Sequence, residues 1–218
     1  MDLSITIGLG DYARNVGAIL AIVNPLSTVP ILLSLSRDYT GSEYRRTVLI
    51  SAASVFVILA ISYWIGDALL AFFSITVASF RIAGGILIFI TALSMLQART
   101  APTKQTPQEA KETKERENIA VVPLAIPLTA GPGSISLMII VSGRTQTVGD
   151  DLAVVFAAFL ISLVVMTVWM MGKAIAAALG QTGMNIITRI MGLLLAAIAA
   201  EFVINGLASH FPGWLQAG

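Results

Sequence analysis

Charged side chains are missing from long runs of this chain. No Asp, Glu, Lys or Arg occurs from Val16 to Ser36, Thr47 to Gly66, Ala68 to Phe80, Ile82 to Ala98, Ile119 to Gly143 or Leu152 to Gly172, and Ile190 to Leu207 is interrupted only by Glu201. A bilayer crossing takes roughly 17–25 helical residues, which every gap approximates except the short one between Asp67 and Arg81. The runs are rich in Ile, Leu, Val and Ala on all faces, the pattern of helices in lipid rather than of a stripe packed on a soluble core. Six membrane helices are predicted, near 12–36, 46–67, 75–98, 119–142, 151–174 and 186–208. The composition agrees: 56% of the 218 residues are hydrophobic and 11% charged, against about a quarter charged in soluble domains.

The net charge of +1 hides an asymmetry. Ten of the thirteen Lys and Arg, from Arg37, Arg45 and Arg46 through the Arg99–Arg116 cluster to Lys173 and Arg189, fall in alternate loops; Arg14, Arg81 and Arg144 lie opposite. Positive residues stay on the cytoplasmic side, so both termini are expected outside the cytoplasm, with the protein in the inner membrane. Asp2 and Asp11 stand where a cleaved signal peptide would carry Lys or Arg, and none is expected. The stretch 99–118, with Pro102, Pro107 and a KETKERE run, is predicted to be a cytoplasmic linker between a first membrane repeat, 1–98, and a second, 119–218.

The two halves share motifs. Pro25-Leu26-Ser27-Thr28-Val29-Pro30 in the first span matches Pro127-Leu128-Thr129-Ala130-Gly131-Pro132 in the fourth, and Arg81-Ile82-Ala83-Gly84 matches Arg189-Ile190-Met191-Gly192. Three crossings per copy place the second copy upside down. The expected fold is therefore an all-α polytopic membrane protein of six helices in two inverted three-helix repeats, the arrangement of alternating-access carriers. Proline lacks an N–H and clashes with the carbonyl four residues back, so helices 1 and 4 are expected to be discontinuous. Ser27, Thr28 and Thr129 are candidate N-caps for the restarted half-helices, and Pro30 and Pro132 suit an early helical position. Such a restart directs free N–H groups and a positive dipole end at a ligand, which favours a carboxylate. Full crossings and re-entrant hairpins give the same charge count, and both topologies stay open.

These strings, with Asn24-Pro25, Phe80-Arg81-Ile82-Ala83-Gly84-Gly85, Pro127 to Gly133 and Thr188 to Gly192, resemble the MarC family of integral membrane proteins over nearly the whole chain. Glu201-Phe202-Val203 is similar to its enterobacterial inner-membrane branch. The resemblance implies transport of small neutral amino acids such as glycine and alanine, as in the SnatA members, coupled to a proton or sodium gradient. The expected substrate-binding residues are Asn24, Pro25, Ser27, Thr28, Thr129, Gly131, Gly133 and Ser134. The amides of Gly131 to Ser134 would take the carboxylate, and carbonyls around Val23 and Asn24, helped by the Asn24 side chain and the Ser27 or Thr28 hydroxyls, the ammonium group or a coupling cation. Pro30, Pro127, Pro132, Arg81 and Arg189 are expected to be structural, with Arg81 able to pair with Asp67.

Glu201 is the carboxylate well inside a predicted span, and an ionisable group there ordinarily faces a cavity or a partner. It is the candidate for the coupling ion, with a structural pairing near the helix end as the other reading. Trp64, Trp169, Tyr63 and Trp214 are expected to be interfacial or packing aromatics. No cysteine and a single His210 leave no expected metal site or cofactor. No GxxxxGK[ST] loop is present, and Gly133-Ser134 has no nearby base for a serine protease, so an enzyme is not expected. The expected partners are a small-molecule substrate, a coupling cation and the bilayer, without nucleic acid; the sequence carries no signal for an oligomeric state. A passive channel, or an exporter of another small polar solute, is the competing function.

Overall fold

The computed structural model describes residues 8–37, 39–97, 129–143 and 145–211. The linker 99–118, Pro127 and the start of the fourth predicted span lie outside the described residues. Within them the chain is helical throughout: α1 (Leu9–Val23), α2 (Pro25–Leu35), α3 (Gly41–Phe72), α4 (Val77–Leu96), α5 (Pro132–Ser142), α6 (Val148–Met170) and α7 (Gly172–His210).

Five stretches are long and apolar enough to cross a membrane: Tyr12–Leu33, which joins α1 and α2, then Gly41–Phe72, Val77–Leu96, Val148–Met170 and Gly172–His210. The six expected crossings are not all reached among the described residues, because α5 has 11 residues and at 1.5 Å per residue is too short to span alone. The outer surface is that of a protein in lipid. Trp64, Phe72, Phe156, Ile190 and Leu193 are each more than half exposed, a burden that water would penalise and hydrocarbon does not.

Several boundaries move outward from the charge gaps. α3 begins at Gly41 because Thr40 caps it: its hydroxyl accepts the Glu43 N–H while the Glu43 carboxylate accepts the Thr40 N–H, a closed capping box. Thr147 caps α6 in the same manner, accepting from Asp150 N. Residues 172–179 extend the fifth span past its expected end near 174, and the sixth span begins after Gly180, about one turn before the expected 186. Lys173 ended the charge gap without ending the helix: Met171 N bonds Thr167 O at 3.0 Å and Ile175 N bonds Met171 O at 2.9 Å, so the ladder runs on through the junction. The true interruption is Gly180, at φ 61°. Arg189 consequently sits inside α7, not in its first turn.

Among the described residues, several elements of the two halves match. α2 and α5 each have 11 residues and open on proline, Pro25 and Pro132. Thr40 and Thr147 cap the helices that follow. α3 ends just before Ser74, at φ 55°, and residues 148–179 end just before Gly180. The packing partners correspond as well: α4 packs on α5 as α7 packs on α2, and α3 on α5 as α6 on α2, while α3 pairs with α6 and α4 with α7.

Both of those self-matched pairs are antiparallel. Along α3, Tyr44, Phe56 and Tyr63 meet Trp169, Phe159 and Asp151 in reverse order on α6. Between α4 and α7, Ser79 hydrogen-bonds His210 at 3.0 Å, a Cβ at Gly206 would press on Ala78 and Ile82, one at Gly85 on Ala199, and one at Gly192 on Ala92, Met95 and Leu96. Small residues bring the two backbones together, the ordinary device of helix association in lipid. This explains two of the repeated glycines directly: Gly192 faces the α4 backbone, and Gly84 faces Ser136 of α5.

Candidate functional site

The first break lies between α1 and α2. Asn24 adopts the left-handed conformation, φ 42° and ψ 66°, with its N–H on Leu20 O at 2.9 Å. After glycine, asparagine is the residue that best tolerates this geometry at a helix end. Pro25 then restarts the helix where its missing N–H costs nothing. Pro30 is inside α2, where it removes the donor that the Leu26 carbonyl would otherwise receive. The expectation that Pro30 opens the second half-helix is corrected by one and a half turns, because the αL residue at 24 ends α1 earlier.

The caps are corrected too. Neither restart has a side-chain cap. Thr28 Oγ1 instead donates to Pro25 O at 2.9 Å, and Ser134 Oγ donates to Gly131 O at 3.0 Å. The hydroxyls satisfy carbonyls and leave the first-turn amides uncapped. At the second break Gly131 is extended and precedes Pro132, so Gly133 and Ser134 carry the N–H groups that a helix start leaves without intrahelical partners.

The two breaks lie against one another. A Cβ at Gly133 would fall 3.0 Å from Ile22 of α1 and 2.5 Å from Ile88 of α4, so the smallness of this residue serves close packing. Val23 and Ala130 belong to one buried cluster with Met138 and Trp169. Asn24, Thr28, Thr129 and Ser134 are buried polar residues around it. Two polar atoms here are buried with no hydrogen-bond partner among the described residues, Asn24 Nδ2 and Ser27 Oγ. A buried donor left unmade costs about 1–3 kcal/mol, and such groups call for an explanation; a small polar ligand between the breaks supplies one.

Trp169 is the residue that sequence reasoning missed. Placed near the end of a predicted span, it was expected at an interface or in simple packing. It is fully buried, and its indole N–H bonds Thr28 Oγ1 at 2.9 Å and Pro25 O at 3.2 Å, fixing α6 to the first break. Its backbone carbonyl also accepts from Tyr44 at 2.6 Å. Tyr63 donates to Asp151 at 2.5 Å, and its hydroxyl lies 2.9 Å from Thr145 Oγ1, a second cross-link at the other end of the α3–α6 pair. The first turn of α6 also carries a fully buried carboxylate, Asp150, which the expected boundary at 151 left outside the span. The Thr147-x-x-Asp150 spacing, matching Thr40-x-x-Glu43, was the available signal.

Glu201 is not at the breaks. It is exposed, accepts from Asn205 Nδ2 at 3.1 Å, and lines a cavity of about 790 Å³ shared with Arg14, Asn15, Arg81 and Asn205. None of the eight residues expected to bind substrate lines that cavity. No cluster of His, Cys, Asp and Glu able to hold a metal occurs among the described residues.

Residues 10–211 match the model of the MarC family integral membrane proteins. The chain belongs to the MarC family. It is 42% identical over 196 residues to the UPF0056 membrane protein YhcE of Escherichia coli K12, covering 90% of this chain and 91% of that one. Identity to the UPF0056 inner membrane protein MarC of Escherichia coli O157:H7 is 34%, covering 95% and 96%. Identity to the UPF0056 membrane protein MJ1677 of Methanocaldococcus jannaschii is 32%, covering 87% and 92%. No solved structure matches the chain. Membership in a family of integral membrane proteins agrees with the apolar outer surface and the five candidate spans, and makes this a multi-pass membrane protein.

Proposed function

We propose that this MarC-family protein is a secondary transporter of small neutral amino acids, glycine and alanine foremost, driven by a proton or sodium gradient. In this reading the chain crosses the membrane six times as two inverted three-helix copies, and the substrate sits between the two breaks. The carrying observation is the antiparallel packing of corresponding helices, α3 on α6 and α4 on α7, around paired breaks that hold buried, unpartnered polar atoms. Two copies facing opposite ways around one site are the architecture that exposes a site alternately to each side. Gly133 and Ser134 offer amides to a carboxylate; the last carbonyls of α1 and the Asn24 and Ser27 side chains offer partners to the rest of a small zwitterion.

The close packing at the break, where a Cβ at Gly133 would meet Ile22 and Ile88, favours a ligand without a bulky side chain. The charge asymmetry supports a location in the inner membrane with both ends outside the cytoplasm, and the relative from Escherichia coli O157:H7 is named an inner membrane protein. Reconstitution in proteoliposomes tests the reading. Labelled glycine and alanine should show saturable flux that responds to an imposed proton or sodium gradient. Flux that never saturates and ignores both gradients would mean a channel, and no amino-acid flux from folded protein would remove the substrate assignment.

A further inference from the structure

The cavity around Glu201 is built from four helices at one end of the bundle: the start of α1 (Arg14, Asn15), the second turn of α4 (Arg81), the last turns of α5, and the final third of α7 (Glu201, Asn205). Its charged rim stands over an apolar wall that includes Ala18 and Leu137. These two lie one helical turn from Ile22 and from Gly133–Ser134, so the wall leads toward the second break. The described residues therefore hold a charged mouth and, about one helical turn farther along α1 and α5, the residues beside the second break.

We propose that this mouth is a recognition site for a small zwitterion, a molecule with a carboxylate and a primary ammonium a few ångströms apart. The guanidinium groups of Arg14 and Arg81 suit the carboxylate, which arginine takes through paired N–H donors. Glu201 suits the ammonium, with Asn15 and Asn205 able to complete either shell. A cavity of about 790 Å³ is far larger than one glycine or alanine, so the molecule is held there with part of its water. The break farther in carries no ionised side chain, and the mouth supplies the charge selection it lacks. The inference rests on the transporter reading for the role of the site, and it assigns Glu201 to the ammonium of the substrate instead of a coupling cation.

Calorimetry on purified protein in nanodiscs, with glycine, propionate and ethylamine as probes, tests binding; flux in proteoliposomes tests transport. Glycine should bind the wild type far better than the two single-charge probes. Arg81→Gln and Glu201→Gln should each weaken glycine by about tenfold, the weight of a lost charge-assisted bond, and raise KM in the flux assay. Arg81→Lys keeps the charge and should fall between, which separates recognition from a folding defect. A phosphatidylethanolamine head group carries the same two charges, so the measurement is repeated with and without that lipid. Equal glycine binding in both discs supports the proposal; binding that vanishes with the lipid present assigns the mouth to lipid and overturns it. Wild-type glycine binding unchanged by every substitution overturns the mouth and leaves the transporter reading standing. Binding lost in the variants but no wild-type flux keeps the mouth and removes the transporter reading. Absence of both in the wild type removes both.

Discussion

Replacing Asn24 by glycine should make the protein more stable and less active. The Asn24 side chain is 5% exposed, and its amide nitrogen has no partner among the described residues. Removing that stranded donor relieves about 1–3 kcal/mol. Glycine also relaxes the left-handed conformation at φ 42°, which costs an ordinary L-residue about 1–2 kcal/mol and asparagine less. Against this stand the greater backbone freedom of glycine in the unfolded chain, about 0.5–1 kcal/mol, and the small void left behind. The balance is a gain of about 1–2 kcal/mol. For a chain of this length that raises Tm by about 2–8 °C, measured by thermal unfolding in detergent without amino acid at a fixed scan rate. In the proposed transporter the stranded amide is held for the ligand, so glycine flux by the same preparation should fall, a gain in stability at the expense of binding being the usual exchange at a binding site. A drop in Tm would show that Asn24 holds the fold together, and flux with unaltered KM would take Asn24 out of the site; either result refutes the reasoning.

Trp169→Phe should cost about 2–3 kcal/mol, part from the void at a fully buried position and about 1 kcal/mol from the indole bond to Thr28. In a Thr28→Val background the same change should cost about 0.5–1.5 kcal/mol less, and a strictly additive cycle by thermal unfolding would deny the bond. Gly192→Leu should separate α4 from α7, because its side chain would enter the space of Ala92 O and Leu96 N; a loss of about 1–3 kcal/mol or more is expected, while Gly17→Leu, with open space around it, should unfold at the wild-type temperature. Single cysteines at Gly8 and Ser42, in a chain that has none, should label from opposite sides of the membrane with an impermeant maleimide. Labelling from the same side would make α1 and α2 a re-entrant hairpin.

The membrane character and the break in the first span were legible because each has a local cause: uncharged runs of spanning length, and prolines within them. The register of the two halves was not. String matching sets Pro25 beside Pro127, since the eye finds Pro-Leu-(Ser or Thr)-x-x-Pro twice. The folded chain sets Pro25 beside Pro132, each opening an 11-residue helix, and the same spacing then pairs Ser27 with Ser134, Thr40 with Thr147 and Glu43 with Asp150. What decides the register is where the helix stops, and that depends on the backbone conformation of Asn24, which an asparagine permits without announcing. The capping pairs Thr40–Glu43 and Thr147–Asp150 did announce themselves, but charge gaps set the expected boundaries inside them and pushed both acidic residues out of the spans. Trp169 and Glu201 show the complementary limit. Nothing within a single helix tells a tryptophan near its end whether the neighbouring face is lipid or a broken helix with a bare carbonyl. Nor does depth along α7 distinguish a carboxylate at the centre from one on a cavity rim. Both roles are set by α1, α2, α4 and α5, elements far away in the chain, and became definite only once the antiparallel pairing of α3 with α6 and α4 with α7 fixed which ends of those helices meet.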